Sequence, residues 1–321
     1  MPRLSLVLAL VIAASPAVAQ TAGHPLALPT GYHGDRFWVE PVTAAGRRIT
    51  LYTDSGGGLF LLQDAAARLG IEVTTEVQGA DTVRLATFPP FAADASIPLP
   101  PSRGGKVLVF APPPGRGIDM FEADGMLGQE WFGGRTWTFD YPGRTLWLRA
   151  NGDVPAVAAE HRVGLGFQTD SAGARALNFP RIQATIDGQM LDLLLDTGAT
   201  SSLTTEAMTA MGGTDSVRAT SFITTTTFER WRSRHPDWRV VEKGEKATGE
   251  PLIEVPEVTV AGYTVGPVWF TRRPDRNFHQ FMTRFMDRQV EGALGGSALH
   301  YFKVTVDYPN AIAAFERPAT P

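Results

Sequence analysis

The sequence predicts a mainly β protein made of two duplicated lobes, and three observations lead there. Its 33 glycines and 24 prolines suit many turns between short strands. A turn glycine followed eight residues later by Asp-Ser/Thr-Gly occurs twice, Gly46 with Asp54 and Gly188 with Asp196. The segments Asp124-Gly125-Met126-Leu127-Gly128 and Glu291-Gly292-Ala293-Leu294-Gly295 also match, and thirteen residues separate each leucine from an Asp-Tyr-Pro turn, Leu127 from Asp140 and Leu294 from Asp307. At roughly 100–200 residues per domain, a chain of 321 residues accommodates two such units.

Taken in order, Arg3, the apolar stretch 4–14 and Ala17-Val18-Ala19 have the charge, apolar core and small-residue cleavage site of an export signal over residues 1–19. The mature chain is then expected to start at Gln20 and to be periplasmic or secreted. That apolar run falls short of the roughly 20 residues a spanning helix needs, so no stable membrane anchor is expected.

The N-terminal lobe, 20–150, should hold strands at 37–42 and 48–53, the loop Asp54-Ser55-Gly56, a short helix ending at Gly70, and a proline-rich stretch, 89–114, of loop and edge strand. A strand at 136–140 with 146–148 returning beside it closes the lobe. Residues 151–160 read as a linker. The C-terminal lobe, 151–321, repeats the plan with strands at 181–186 and 190–195, the loop Asp196-Thr197-Gly198, a short helix before Gly212, and strands at 304–307 and 311–315.

Asp54 to Leu127 spans 73 residues and Asp196 to Leu294 spans 98, an excess of 25 in the second lobe. Two segments are assigned to it: a hairpin or long loop over 220–249, and a helix over 277–290, where Phe278, Phe281, Met282, Phe285 and Met286 recur at helical spacing.

Several functions are excluded. A net charge of -4 without a dense Lys/Arg block argues against nucleic acid as a partner. The absence of cysteine removes disulfides, thiolate metal sites and cysteine nucleophiles. The six histidines show no metal-ligand spacing, so neither metal nor cofactor is expected. Ser297 lacks the second glycine of a nucleophile elbow, and Gly104-Gly105-Lys106 runs into Val107 rather than completing a phosphate loop.

One Asp-Ser/Thr-Gly would arise by chance in on the order of one in ten sequences of this length, so the specificity lies in the repeat. With both loops and both apolar-Gly segments in view, the sequence resembles the two-lobed aspartic proteases of the pepsin and retropepsin group. The stretches ending in Leu69-Gly70 and Met211-Gly212 look most like the retropepsin-type bacterial members.

The resemblance implies a duplicated, bilobal aspartic-protease-like β fold with a short helix after each catalytic loop, and an aspartic endopeptidase acting on a peptide or protein substrate. It implies that Asp54 and Asp196 share one catalytic water. Ser55 and Thr197 would hydrogen-bond across the lobe interface, and Gly56 and Gly198 would let the backbone approach the carboxyls. The chemistry needs two adjacent carboxyls because one must take a proton from water while the other gives one to the carbonyl oxygen, and like charges held close cannot both ionise. Pepsin-like enzymes cover the cleft with a tyrosine, whereas no Tyr or Trp lies between Ser55 and Glu130. Phe88 and Phe91 are the candidates for that cover, with core as their other reading. The chain is expected to be a monomer. The alternative is a noncatalytic envelope binding or scaffolding protein that retains the fold.

Overall fold

In Arg181–Ile186 every second side chain, Ile182, Ala184 and Ile186, is buried, the period of a strand with one face on a core. Asp187 and Gly188 follow with φ +51° and +71°, the left-handed pair of a tight hairpin, and Gln189–Leu195 returns antiparallel. Gly46, the matching glycine, also lies at positive φ, +76°, inside the turn bracketed by the Val42–Arg48 bridge. Both strands that leave these turns end at an aspartate.

The structure, a computed structural model, describes residues 24–78, 81–93, 97–101, 105–111 and 123–318; the expected signal segment and Gln20 lie outside them. It is mainly β. The strands form an eight-stranded sheet from the first half, a nine-stranded sheet from the second, a six-stranded sheet shared by both and one two-stranded ribbon.

Seven strands of the two large sheets correspond. In the first the spatial order is Arg36–Val39, Leu51–Thr53, Gly125–Leu127, Phe60–Leu62, Lys106–Phe110, Asp81–Thr87, Val73–Gln78. In the second it is Arg181–Ile186, Gln189–Leu195, Gly292–Leu294, Ser221–Thr224, Val268–Arg273, Leu252–Val255, Val240–Val241. Each successive pairing has the same direction in both sheets: antiparallel, parallel, antiparallel, parallel, antiparallel, antiparallel.

This correspondence corrects the placement of the extra residues. Phe60 pairs with Met126 and Phe222 with Ala293, so in the strand that follows each Asp-Ser/Thr-Gly loop the matching residue lies six positions after Asp54 but twenty-six after Asp196. Twenty of the excess 25 therefore lie immediately after the second loop, in Thr200–Ser202, the helix Thr205–Ala210 and Val217–Ala219. A short helix does follow each loop, Gln63–Leu69 and Thr205–Ala210, and Gly70 and Gly212 both lie at positive φ behind them. The two helices are not counterparts, however. Gln63–Leu69 follows Phe60–Leu62 as Thr225–Arg234 follows Ser221–Thr224.

Residues 220–249 thus hold a strand, a ten-residue helix and a second strand rather than a hairpin or loop. In place of one helix over 277–290 the chain makes a π-helical turn, Arg276–Phe281, and a 3₁₀ turn, Met282–Phe285; Phe278 and, just after the turns, Met286 are buried with Leu194, Val290 and Ala293, while Phe281 is exposed. Lys106–Phe110 is no edge strand, since it is paired on both sides. Much of the surrounding proline-rich stretch lies outside the described residues.

The shared sheet runs Leu26–Ala27, Thr145–Arg149, Thr136–Asp140, Lys303–Asp307, Ile312–Glu316, Arg162–Gly164, antiparallel throughout. Its centre is where the halves meet, Thr136–Asp140 on Lys303–Asp307. The expected linker is irregular chain up to a single turn at Ala159–His161. The main core is continuous across the halves, from Phe37, Leu51 and Leu127 to Leu193, Leu195 and Leu294. Among the described residues no helix is long and apolar enough to cross a membrane.

Candidate active site

Each predicted aspartate leaves a buried strand and is held from behind by the apolar-Gly strand of its own sheet. Thr53 pairs with Leu127 and Leu195 with Leu294, after which Asp54 N–H donates to the Leu127 carbonyl at 3.1 Å and Asp196 N–H to that of Leu294 at 3.0 Å. Each loop then turns back on its own carboxyl: Gly56 N–H reaches Asp54 Oδ1 at 2.8 Å and Gly198 N–H reaches Asp196 Oδ1 at 3.0 Å.

The second residues of the loops tie the halves together. Ser55 N–H donates to Thr197 Oγ1 at 3.1 Å, Thr197 N–H donates to Ser55 Oγ at 3.0 Å, and Ser55 Oγ–H donates to the Leu195 carbonyl at 2.7 Å. Both residues are buried, so these bonds form in a low-dielectric interior where leaving a group unmatched is costly. The glycines admit the opposite carboxyl. A Cβ at Gly198 would stand 2.1 Å from Asp54 Cγ, and one at Gly56 would stand 2.6 Å from Asp196 Cγ. Any side chain at either position would occupy the space of the partner aspartate.

The two carboxyls are hydrogen-bonding neighbours, 9% and 8% exposed. Burial pushes the Asp54 carboxyl up, offset in part by its hydrogen bonds to Asp196 and to the Gly56 and Gly57 N–H groups. Burial, followed by the nearby Asp54 charge, pushes Asp196 well above the usual carboxylate range. Both carboxyls are thus held above the ordinary carboxylate range, and because they interact their titration belongs to the pair rather than to either residue.

Beside the pair, Tyr52, Trp38, Met126 and Phe60 form one apolar cluster. It continues through the Phe60–Phe110 ring contact, centroids 5.7 Å apart, to a hollow of about 550 Å³ lined by Phe60, Val83, Leu108 and Phe110 among others. Leu108 and Phe110 are half exposed there. Phe88 and Phe91 are not its cover: Phe88 is buried in the main core and Phe91 packs edge-on against it.

The remaining candidates are structural. Ser297 is buried, donating to the Trp269 carbonyl at 2.8 Å and bonded to Ser221 Oγ at 3.0 Å. Lys106 pairs with Glu76. His161, His235 and His279 lie apart, bonded to the Ala261 carbonyl, Asp187 and Glu291 respectively. Among the described residues no group of three or more His, Asp or Glu side chains is placed to hold a metal ion.

Two features were missed from sequence. Tyr52 reaches the second loop from the first half: its strand period puts it on the face of Asp54 but does not show that this face meets the other half. The hairpin of Thr30–His33 and Arg36–Val39 clasps the inserted strand Val217–Ala219: Ala219 N–H donates to the Gly34 carbonyl, Arg36 to the Val217 carbonyl, and Arg218 to Asp35 Oδ2 through two nitrogens at 3.1 and 3.2 Å.

No protein-family model and no curated protein matches the sequence. The functional reading therefore rests on the loops and their geometry.

Proposed function

We propose that the protein is an aspartic endopeptidase of the two-lobed kind, with Asp54 and Asp196 activating one water between them. The observation that carries this reading is the reciprocal packing of the loops, each carboxyl against the other loop's glycine, so that two buried carboxyls sit in hydrogen-bonding contact. The repeated strand order supports the duplicated lobe, and the Ser55–Thr197 exchange supports a rigid floor beneath the pair.

The reaction follows from one shared proton. The ionised carboxylate takes a proton from water as the water oxygen bonds to the peptide carbonyl carbon, and the protonated carboxyl gives its proton to the carbonyl oxygen. The carboxyl that took the water proton then gives it to the amide nitrogen while the other, now ionised, takes a proton from a hydroxyl of the tetrahedral diol, and the C–N bond breaks to leave a carboxyl and an amine with the pair again holding one proton. The first nineteen residues direct the protein to the periplasm or beyond.

The test is peptide cleavage by the wild type, Asp54→Asn and Asp196→Asn, with melting curves to establish folding. Each variant should lose activity by on the order of 10²–10⁴-fold, and the double variant should be scarcely worse than either. Folded single variants with wild-type rates would sink the mechanism. A wild type that cleaves nothing in a diverse peptide library from acid to neutral pH would make the noncatalytic binding protein the better reading.

A further inference from the structure

Tyr52 precedes Asp54 by two residues in the strand Leu51–Thr53, so both side chains leave the same face of the sheet. Its ring is fully buried, 5.3 Å from the Trp38 ring centroid, in the cluster with Met126 and Phe60. Its hydroxyl crosses to the second half. There it lies 3.0 Å from the Gly198 carbonyl oxygen and 2.9 Å from Thr200 Oγ1, and Thr200 Oγ1 is itself 2.9 Å from the same carbonyl.

Gly198 is the residue on which the carboxyl pair turns. Its N–H donates to Asp196, its Cα lies against the Asp54 carboxyl, and its carbonyl is held by the two hydroxyls. Resting on the reading of Asp54 and Asp196 as a catalytic pair, we propose that Tyr52 is a positioning residue: by holding the Gly198 carbonyl it sets how the Asp196 loop lies against Asp54.

Packing alone does not call for the hydroxyl. The counterpart two residues before Asp196 is Leu194, which fills a buried cluster with Phe278, Met286, Val290 and Ala293. A hydroxyl buried in place of a methyl group costs free energy unless it is bonded, so the bonds across the lobe boundary account for the tyrosine. Burial, and then the nearby Asp54 charge, drive its phenol far above the ordinary range, which keeps it a donor throughout the range where carboxyls titrate. The control is one-sided: the first half positions the loop of the second.

The experiment compares the full-length wild type with Tyr52→Phe, Thr200→Val and the double variant. It follows kcat, KM and the pH limits of peptide cleavage, and also the pH at which melting temperature reports release of the shared proton. Tyr52→Phe keeps the ring, and should lower kcat by about tenfold to a hundredfold with KM within about twofold, because misplacement rather than lost binding is the defect. The spacing of the pH limits should change, and the double variant should be no worse than Tyr52→Phe, since both hydroxyls act on one carbonyl. Wild-type kcat and unchanged proton release in Tyr52→Phe would overturn the inference. If Tyr52→Phe folds poorly, Thr200→Val decides: shifted proton release supports the role and unchanged release removes it. A wild type without cleavage counts against the peptidase reading, while proton release, which needs no turnover, still judges Tyr52.

Discussion

Thr138 and Thr305 are paired with each other across the central strands of the shared sheet, their hydroxyl oxygens 2.6 Å apart and fully buried. Each stands two residues before the aspartate of an Asp-Tyr-Pro turn, so a residue of one half meets its own counterpart in the other. The relation between the halves passes through this pair.

The pair should behave as a unit. Thr138→Val alone leaves the Thr305 hydroxyl without this partner and should cost about 1–3 kcal/mol, whereas changing both to valine should be close to neutral. Denaturant unfolding of the four proteins of the cycle measures it, and additive losses would show that the hydroxyls do not interact.

The carboxyl pair should make stability depend on pH. Both folded carboxyls titrate above their unfolded values, so between those values the native state binds more protons than the unfolded state, and stability falls as pH rises from about 4 through the folded value. Asp196→Asn should flatten that slope and raise the melting temperature at neutral pH by a few degrees, with little effect near pH 3. Activity should trace a bell, needing the pair singly protonated. Melting curves from pH 3 to 8 check the first part; equal slopes in both proteins would count against a shared buried proton.

The glycine run after Asp54 should divide sharply. Gly56→Ala would collide with Asp196, and a Cβ at Gly57 would stand 2.5 Å from Met126 Sδ, whereas one at Gly58 meets nothing within 4 Å. Gly56→Ala and Gly198→Ala should therefore abolish cleavage, while Gly58→Ala should be tolerated and could add about 0.4–1 kcal/mol of stability by restricting the unfolded chain. Cleavage and melting of the three variants test it, and an active Gly198→Ala enzyme would contradict the close approach of the loops.

The Asp35–Arg218 contact should be modest and salt-dependent, because both groups remain partly open to water. Asp35 sits at φ +59°, which asparagine tolerates, so Asp35→Asn removes the charge without straining the turn. A loss of about 1 kcal/mol at low salt, shrinking at high salt, is expected from unfolding at two ionic strengths. A loss insensitive to salt would assign the effect to the backbone instead.

The strands and turns around both loops were legible because local rules govern them: two glycines at positive φ, two apolar strands ending in aspartate, and two Asp-Tyr-Pro turns at one spacing. The insertion was not. Gly70 and Gly212 lie equally far from their aspartates, which made two unrelated helices look equivalent; only strand pairing separates them. Thr225–Arg234 begins with three threonines, poor helix formers, and becomes helical because Phe228 and Trp231 bury their rings in the core. Nothing local joins Asp35 to Arg218, 183 residues away. Tyr52 hid in plain alternation, since a strand that reads Leu-Tyr-Thr announces two faces but not which of them meets the other half.

The meeting of Thr136–Asp140 with Lys303–Asp307 also fixes an order of assembly. A chain made from its N-terminus completes the first of these strands more than 160 residues before the second exists, and until then one side of Thr136–Asp140 is a bare row of N–H and C=O groups. A product cut short within that interval keeps the open edge, since the strand that pairs with it lies wholly in the missing part. Full synthesis is thus what turns a sticky half-molecule into a closed one.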